Sequence, residues 1–187
     1  MMKTNTTAIL AFVLMISLGT EFSGGAEVQK PGFFRRTFGH LTWEEAQSLV
    51  KKPEDAARMV RSHVRFKLDL GDQWEGAEAT WRKGHGDCED MAQCVVDLCR
   101  QAELEASVMV FGAKGLFVGH AVAMGKYPDG KVWIASNGWF HRAKSVEAAK
   151  EIVAGELRWG RREVTLRPLS QVYSASNKSD EPAANRS

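Results

Sequence analysis

The spacing of apolar residues along this chain changes near residue 105, and that change limits the folds open to it. Before this point, apolar side chains recur every three or four residues in stretches that begin near Thr42, Pro53 and Asp87. This spacing predicts three helices, and the short apolar runs that come later predict β-strands. The strand-like runs cover residues 106–111, 117–124 and 132–135. Helices followed by consecutive strands predict an α+β fold in which helices pack on an antiparallel sheet.

Capping and turn residues set the expected boundaries. Thr42 and Glu45 have the spacing of a capping box, and Pro53 suits the first position of a second helix that extends to about residue 66. The third helix is expected from Asp87 to about residue 103. Pro128-Asp129-Gly130 is a turn sequence, so the last two strand-like runs should form a hairpin.

Three further segments complete the pattern. Ser145 is the predicted cap of a short helix that ends at Gly155, and residues 163–166 are expected to form one more strand. Residues 71–86 carry four glycines and two tryptophans with no regular period. That composition predicts a partly structured loop. Residues 112–117 and 137–144 are expected to be loops as well, and any substrate specificity should lie in these three segments.

Residues 1–26 have the features of a secretory signal peptide. Lys3 gives a positive start, residues 8–18 form a short apolar run, and Gly24-Gly25-Ala26 supplies small residues for cleavage. We therefore expect a secreted or periplasmic protein with no membrane anchor after signal cleavage. Residues 27–173 are expected to form a single domain, and residues 174–187 a disordered polar tail.

Composition excludes some partners. The 187 residues are 44% hydrophobic and 26% charged, with a formal net charge of +2, which is typical of a globular protein. The charge is too small, and basic residues too scattered, to predict nucleic-acid binding. We expect a monomer.

The three cysteines, Cys88, Cys94 and Cys99, fall on the third predicted helix. Residues five apart on a helix have Cα atoms roughly 8–9 Å apart, whereas a disulfide needs less than about 7 Å. All three are therefore predicted to be free thiols, with Cys94 and Cys99 buried. Cys88 lies at the helix start, where the helix dipole should lower its pKa. Asp87 and Asp90 flank it at capping distance, and their negative charges act in the opposite direction.

Metal binding is not predicted. A zinc site would have to use His85 with the three cysteines, and helical spacing scatters those cysteines over about three turns. There is also no acidic loop with the spacing of calcium ligands. We therefore expect no metal and no cofactor.

His120 and Asn137 are the residues expected to act with Cys88. His120 lies within an apolar strand, and Ser136-Asn137-Gly138 follows the next strand of the hairpin. The hairpin would bring Asn137 near His120, so that the amide holds one imidazole nitrogen while the other faces Cys88. A nucleophile, a base and an orienting group are the components of thiol acyl transfer.

The segment Gly86-Asp87-Cys88-Glu89-Asp90-Met91-Ala92 resembles the Gly-Asp-Cys-Glu-Asp-Tyr-Ala signature of transglutaminase-like proteins, including bacterial transglutaminase-like cysteine peptidases. Gly119-His120-Ala121-Val122 resembles the histidine strand of that superfamily. Residues 133–137 stand where the family has a strand that ends in its third catalytic residue. The family usually has Asp there, sometimes followed by Asn. Either Asn137 replaces the Asp, which we prefer, or Ser136 occupies the catalytic place.

This resemblance implies a papain-like fold, with a central Cys-bearing helix packed on an antiparallel sheet. It also implies a cysteine protease or related hydrolase or acyltransferase. Such an enzyme would act on peptide or amide bonds of a peptide or protein substrate through Cys88, His120 and Asn137. The backbone N–H of Cys88 would contribute to an oxyanion hole. Trp81 or Trp74 could add a second donor, although packing is the commoner role of an indole.

The triad residues do not decide how the thioester is resolved. Water would make the protein a peptidase or amidase, which we favour, and an amine would make it a transglutaminase. The alternative to an enzyme is a catalytically inactive transglutaminase-like domain that binds peptide or protein.

Overall fold

The structure, a computed structural model, describes residues 40–68, 76–116 and 119–171. The predicted signal peptide, the predicted polar tail and Trp74 lie outside the described residues. The helices that position the site are α1 (Trp43–Leu49), α2 (Pro53–His63), α3 (Ala77–Lys83), α4 (Cys88–Gln101) and α5 (Val146–Glu156). The strands there are β1 (Arg65–Phe66), β2 (His85–Gly86), β3 (Ser107–Ala113), β4 (His120–Lys126), β5 (Val132–Ser136), β6 (Trp139–Ala143) and β7 (Val164–Pro168).

The main sheet is antiparallel throughout and has the strand order β6-β5-β4-β3-β7. The predicted hairpin is present as β4 and β5, with Ala123 paired to Ala135. Its turn contains Gly130, whose φ of 82° is in the left-handed region that glycine adopts most readily. A separate two-stranded parallel sheet joins β1 to β2.

Alternating side chains give the sheet two buried faces. Ala121 and Ala123 of β4 pack in the core that contains α4, whereas Val122 and Met124 pack in the core that contains α5. Helix α4 contacts β4 on one side and α2 and α3 on the other, so it is the central helix of its layer. The predicted α+β architecture, with a Cys-bearing helix packed on an antiparallel sheet, is confirmed.

Helix starts follow the predicted capping signals. Thr42 forms the expected capping box with Glu45 at the start of α1, and Pro53 is the first residue of α2. Ser145 caps α5 by accepting a hydrogen bond from the N–H of Ala148. Each cap satisfies backbone N–H groups that have no partner within the helix.

Two segments predicted to be loops contain regular structure. The partly structured loop expected at residues 71–86 contains α3 and β2, and the prediction for residues 137–144 was wrong where β6 occurs. Helix α3 has seven residues, about two turns, which is too short for a helical period to be recognised. Strand β6 lies at the sheet edge, where Trp139 is exposed and the apolar alternation is weak.

The predicted end of the second helix was also three residues too late. The chain leaves α2 after His63, and Arg65–Phe66 pairs with β2 instead of continuing the helix. In the part of the chain that the structure describes, no helix combines the length and apolar character needed to cross a membrane.

We expect Gly125→Ala to destabilise the protein by about 1–3 kcal/mol, the range for overpacking a well-packed core. A Cβ at Gly125 would overlap the backbone carbonyl oxygen of Glu105 and lie 2.6 Å from the Trp133 ring. The matched control is Gly155→Ala in α5, where a Cβ meets nothing within 4 Å. It should stabilise by up to about 1 kcal/mol, because alanine favours the helix. Denaturant unfolding measures both, and equal effects would contradict the packing described.

Candidate active site

Cys88 is the first residue of α4, and the capping box at this helix start fixes its position. The Asp87 carboxylate accepts hydrogen bonds from the N–H groups of Glu89 at 3.0 Å and Asp90 at 3.3 Å. The Asp90 carboxylate in turn accepts from the N–H of Asp87 at 3.3 Å. The capping role predicted for Asp87 and Asp90 is therefore present. It places the thiol at the edge of the core, partly exposed.

The pKa of the Cys88 thiol is shifted in the direction opposite to the expectation from the helix dipole. Burial raises this pKa, and the negative charges of Asp87 and Glu89 raise it further. A backbone hydrogen bond at Ala121 lowers it in part. The net shift is upward from 9.0, so Cys88 is a neutral thiol near pH 7 in the structure described.

Cys94 and Cys99 are fully buried and free, as predicted. The Cys94 thiol donates to the carbonyl oxygen of Ala77 at 3.3 Å. Burial raises the pKa of Cys99 to about 12 and that of Cys94 higher still. Cys88 is thus the one cysteine of the three that a reagent can approach.

His120 is the first residue of β4, and its ring bonds Ser136. The imidazole Nε2 lies 2.9 Å from the Ser136 hydroxyl oxygen. Ala123 and Ala135 are paired and lie on one face of the hairpin. His120 is three residues from Ala123 and Ser136 is one residue from Ala135. Side chains alternate along a strand, so His120 and Ser136 both lie on the other face. Burial lowers the pKa of His120 from 6.5, and Glu156 opposes this shift weakly. The imidazole is therefore neutral near pH 7.

Asn137 is not the group that bonds His120. Its φ of 45° is left-handed and begins the turn between β5 and β6, so its side chain leaves the alternation of the strand. Its side-chain oxygen Oδ1 is buried and has no hydrogen-bond partner in the described structure. The sequence favoured Asn137 over Ser136 as the orienting residue. In the structure, however, the hydrogen bond to His120 is made by Ser136. Which of the two acts in catalysis stays a prediction.

The turn that carries Asn137 is pressed against α2. Gly138, the next residue, has a φ of 76°, and a Cβ there would lie 2.6 Å from the Cβ of Arg61. The Arg61 guanidinium lies 4.0 Å from the centre of the Trp139 ring. Glycine is needed at this position both for its backbone conformation and for the close approach of the helix.

Cys88, His120 and Asn137 line one cavity of about 550 Å³. It lies where the layer of α4 meets the layer of α5, since Leu157 and Trp159, which follow α5, also line it. Of the remaining wall, the sequence indicated only the loop at residues 112–117, which holds Gly115 and Leu116. For the rest, the only signal was the presence of large apolar residues in short segments without a period. The further wall residues are Phe66, Leu68, Gly115, Leu116 and Gly119.

The indole of Trp81 is directed elsewhere. Trp81 is buried, its N–H donates to the carbonyl oxygen of Leu41 at 2.9 Å, and its ring stacks on His63 with centroids 4.0 Å apart. These contacts support the packing role for Trp81 over the oxyanion role. The other candidate donor, Trp74, lies outside the described residues.

No group of three or more His, Cys, Asp or Glu side chains within the described ranges is arranged to hold a metal ion. His85 instead lines a second cavity, together with His63 and Trp81.

The fold and the site define a class: an α+β domain with a cysteine at the start of its central helix and a histidine at the start of a neighbouring sheet strand. The model of the transglutaminase-like superfamily matches residues 39–142, more than half of the chain. The chain belongs to the transglutaminase-like superfamily.

Solved structures similar to this chain include LapG of Legionella pneumophila. The EGTA-treated form is 17% identical, with a TM-score of 0.48, and the match covers 64% of this chain and 71% of LapG. The calcium-bound form is 17% identical, with a TM-score of 0.47, and the match covers 63% and 73%. A comparison with curated proteins gave no match.

We expect Asp87→Asn to lower the pKa of Cys88. Asparagine caps a helix about as well as aspartate, so the change removes a negative charge that raises this pKa with little loss of stability. The rate of Cys88 alkylation by iodoacetamide, followed by peptide mass spectrometry, should still be rising at pH 9 in the wild type. In Asp87→Asn the alkylation rate should reach its plateau at a lower pH than in the wild type.

Asp97→Asn is the matched control, because it removes a carboxylate from the same helix but away from Cys88. It should leave the alkylation profile of Cys88 unchanged. Identical profiles for the wild type and Asp87→Asn would contradict the electrostatic role of Asp87.

Proposed function

We propose that this protein is a cysteine hydrolase that cleaves peptide or amide bonds, exported as the signal-like residues 1–26 indicate. The observation that carries the proposal is that Cys88 and His120 line the same cavity while Ser136 bonds Nε2 of the imidazole. Since Nε2 is engaged, we propose Nδ1 as the nitrogen that takes the thiol proton. Membership of the transglutaminase-like superfamily supports the same class of chemistry.

The reaction begins from a neutral pair. The imidazole tautomer that donates from Nε2–H to Ser136 carries its lone pair on Nδ1. As the Cys88 sulfur bonds the substrate carbonyl carbon, its proton passes to Nδ1. The imidazolium then gives this proton to the leaving nitrogen as the C–N bond breaks, which leaves a thioester on Cys88. Water attacks the thioester with His120 as base, releases the carboxylic acid and restores the thiol.

The start of α4 suits the negative charge that develops on the carbonyl oxygen. The first N–H groups of a helix have no partners within it, and Asp87 takes those of Glu89 and Asp90. The N–H of Cys88 is our candidate oxyanion donor, assisted by the positive end of the helix dipole.

Ser136, which bonds His120, stabilises an imidazolium less than a carboxylate would. The Ser136 hydroxyl can hold the tautomer, but it brings no negative charge to stabilise the imidazolium that forms in the reaction. We therefore expect slower acylation than a Cys-His-Asp site would give. Asn137 remains the second candidate for the third position, because its buried Oδ1 lacks a partner and the residue lines the cavity.

A second candidate function is peptide or protein binding without catalysis. The observations that favour it are the raised pKa of Cys88, the lowered pKa of His120 and a hydroxyl in place of a carboxylate at His120. These features all disfavour a thiolate–imidazolium pair, although a neutral pair can still transfer an acyl group with general-base assistance.

Acylation of Cys88 by p-nitrophenyl acetate separates the two functions. The proposed enzyme should give a burst of p-nitrophenol and an acetyl thioester that mass spectrometry locates on Cys88. Cys88→Ala should abolish both, and Cys99→Ala, which changes a buried free thiol, should retain both. A folded wild type that forms no thioester, yet binds peptides equally well as Cys88→Ala, would contradict the enzyme and support the binding domain.

Substitution of the two candidate third residues tests which one orients His120. Ser136→Ala removes a hydrogen bond to a ring that becomes charged, so kcat should fall by about 10–100-fold. Asn137→Ala should have the smaller effect on kcat. A larger loss of kcat in Asn137→Ala than in Ser136→Ala would reverse the assignment.

The dependence of kcat/KM on pH should show activity lost as pH falls through the lowered pKa of His120, below 6.5, because only the neutral ring accepts the thiol proton.

A further inference from the structure

We propose that the cavity beside Cys88 selects substrates by a bulky, uncharged, apolar side chain on the residue whose carbonyl is attacked. This inference names the substrate class and rests on the function proposed above.

Several large apolar side chains around this cavity are exposed to solvent. Four large apolar residues are strongly exposed in the described part of the chain, and three of them line the cavity: Phe66 at 54%, Leu68 at 67% and Leu116 at 41%. Isolated exposed apolar residues are ordinary, but their convergence on one concave surface marks an interaction site. A substrate side chain that covers them removes apolar area from water, which favours binding.

The described residues of the wall carry no charged side chain. Among the described residues that line the cavity, none is Asp, Glu, Lys or Arg. A charged substrate side chain would lose its hydration there without gaining an ionic partner, which disfavours it. The contrast with the rest of the surface is large. The second cavity is lined in part by Arg65, Arg82 and Lys83, and a third cavity by Lys150, Arg158 and Arg161.

Size and position complete the assignment. A volume of about 550 Å³ is in the range of small-molecule sites and holds a leucine or an aromatic side chain. Cys88 and His120 themselves line this space. The side chain that fills it therefore belongs to the residue that carries the scissile carbonyl, and it stays in place while that residue is attached to Cys88 as a thioester.

The test uses p-nitrophenyl esters of N-acetylated Phe, Leu, Ala, Glu and Lys. In each, the Cys88 sulfur bonds the carbonyl carbon, the C–O bond breaks, p-nitrophenolate leaves and His120 takes the thiol proton. Rates are divided by the alkaline hydrolysis rate of each ester, which removes differences in intrinsic reactivity. The Phe and Leu esters should acylate Cys88 at least about 10-fold faster than the Ala ester. They should exceed the Glu and Lys esters by about 30-fold or more.

Leu116→Lys places a charge in the wall at an exposed position, so the variant should fold. The Phe-to-Ala rate ratio should fall toward one, and the Glu ester should gain on the Lys ester. The matched control is Ser107→Lys, which adds the same charge at an exposed residue of β3 that does not line the cavity. This control should keep the wild-type Phe-to-Ala ratio.

Each outcome decides a different point. If p-nitrophenyl acetate acylates Cys88 and the Phe and Leu esters are no faster than the Ala ester, the apolar selection is overturned and the proposed hydrolase stands. An unchanged ratio in Leu116→Lys would overturn the assignment of this wall. Failure of every ester to acylate folded wild-type protein would overturn the hydrolase and the selection together.

Discussion

The capping box at the start of α4 positions more of the molecule than the helix it begins. The Asp90 carboxylate closes the box against Asp87, and a Cβ at Gly86 would lie 2.6 Å from the Cβ of Asp90. The chain before the helix is therefore held against the first turn. The carbonyl oxygen of Gly86 accepts from the N–H of Lys67 at 2.8 Å, so this packing also sets the segment that carries Phe66. The position of Cys88 and one wall of the cavity beside it depend on the same few contacts.

The same box creates an electrostatic conflict at the site. A cap needs acceptors at the helix start, and acidic side chains are effective acceptors. Their charge raises the pKa of the thiol that the cap positions, and burial of Cys88 acts in the same direction. Burial also keeps His120 neutral. The cap therefore fixes the position of Cys88 without favouring its ionised form. In the structure described, the raised pKa of Cys88 and the lowered pKa of His120 both favour a neutral thiol beside a neutral imidazole over a thiolate–imidazolium pair.

Sequence reasoning succeeded where one local signal determines the structure, and it failed where distant contacts do. Long periodic stretches and capping residues predicted α2, α4 and the hairpin of β4 and β5. Helix α3 is too short to show a period, and β6 is an edge strand whose pairing partner, not its own pattern, defines it. The choice between Ser136 and Asn137 depends on one left-handed φ at the end of a strand, and adjacent residues in a sequence do not reveal such a change of direction. The apolar wall comes from separate segments that only the fold brings together.

Gly138 shows how far the demands of the site extend from the reacting atoms. Its left-handed φ disfavours any residue with a side chain. The packing of α2 against it at Arg61 also leaves no space for one. The turn after Ser136 therefore cannot move toward α2 or accept any larger residue without shifting that helix, which leads directly into Phe66 through Val64 and Arg65. The turn that follows Ser136 and the segment that carries Phe66 therefore both depend on the position of α2. A substitution that displaces α2 would act on both sides of the cavity at once.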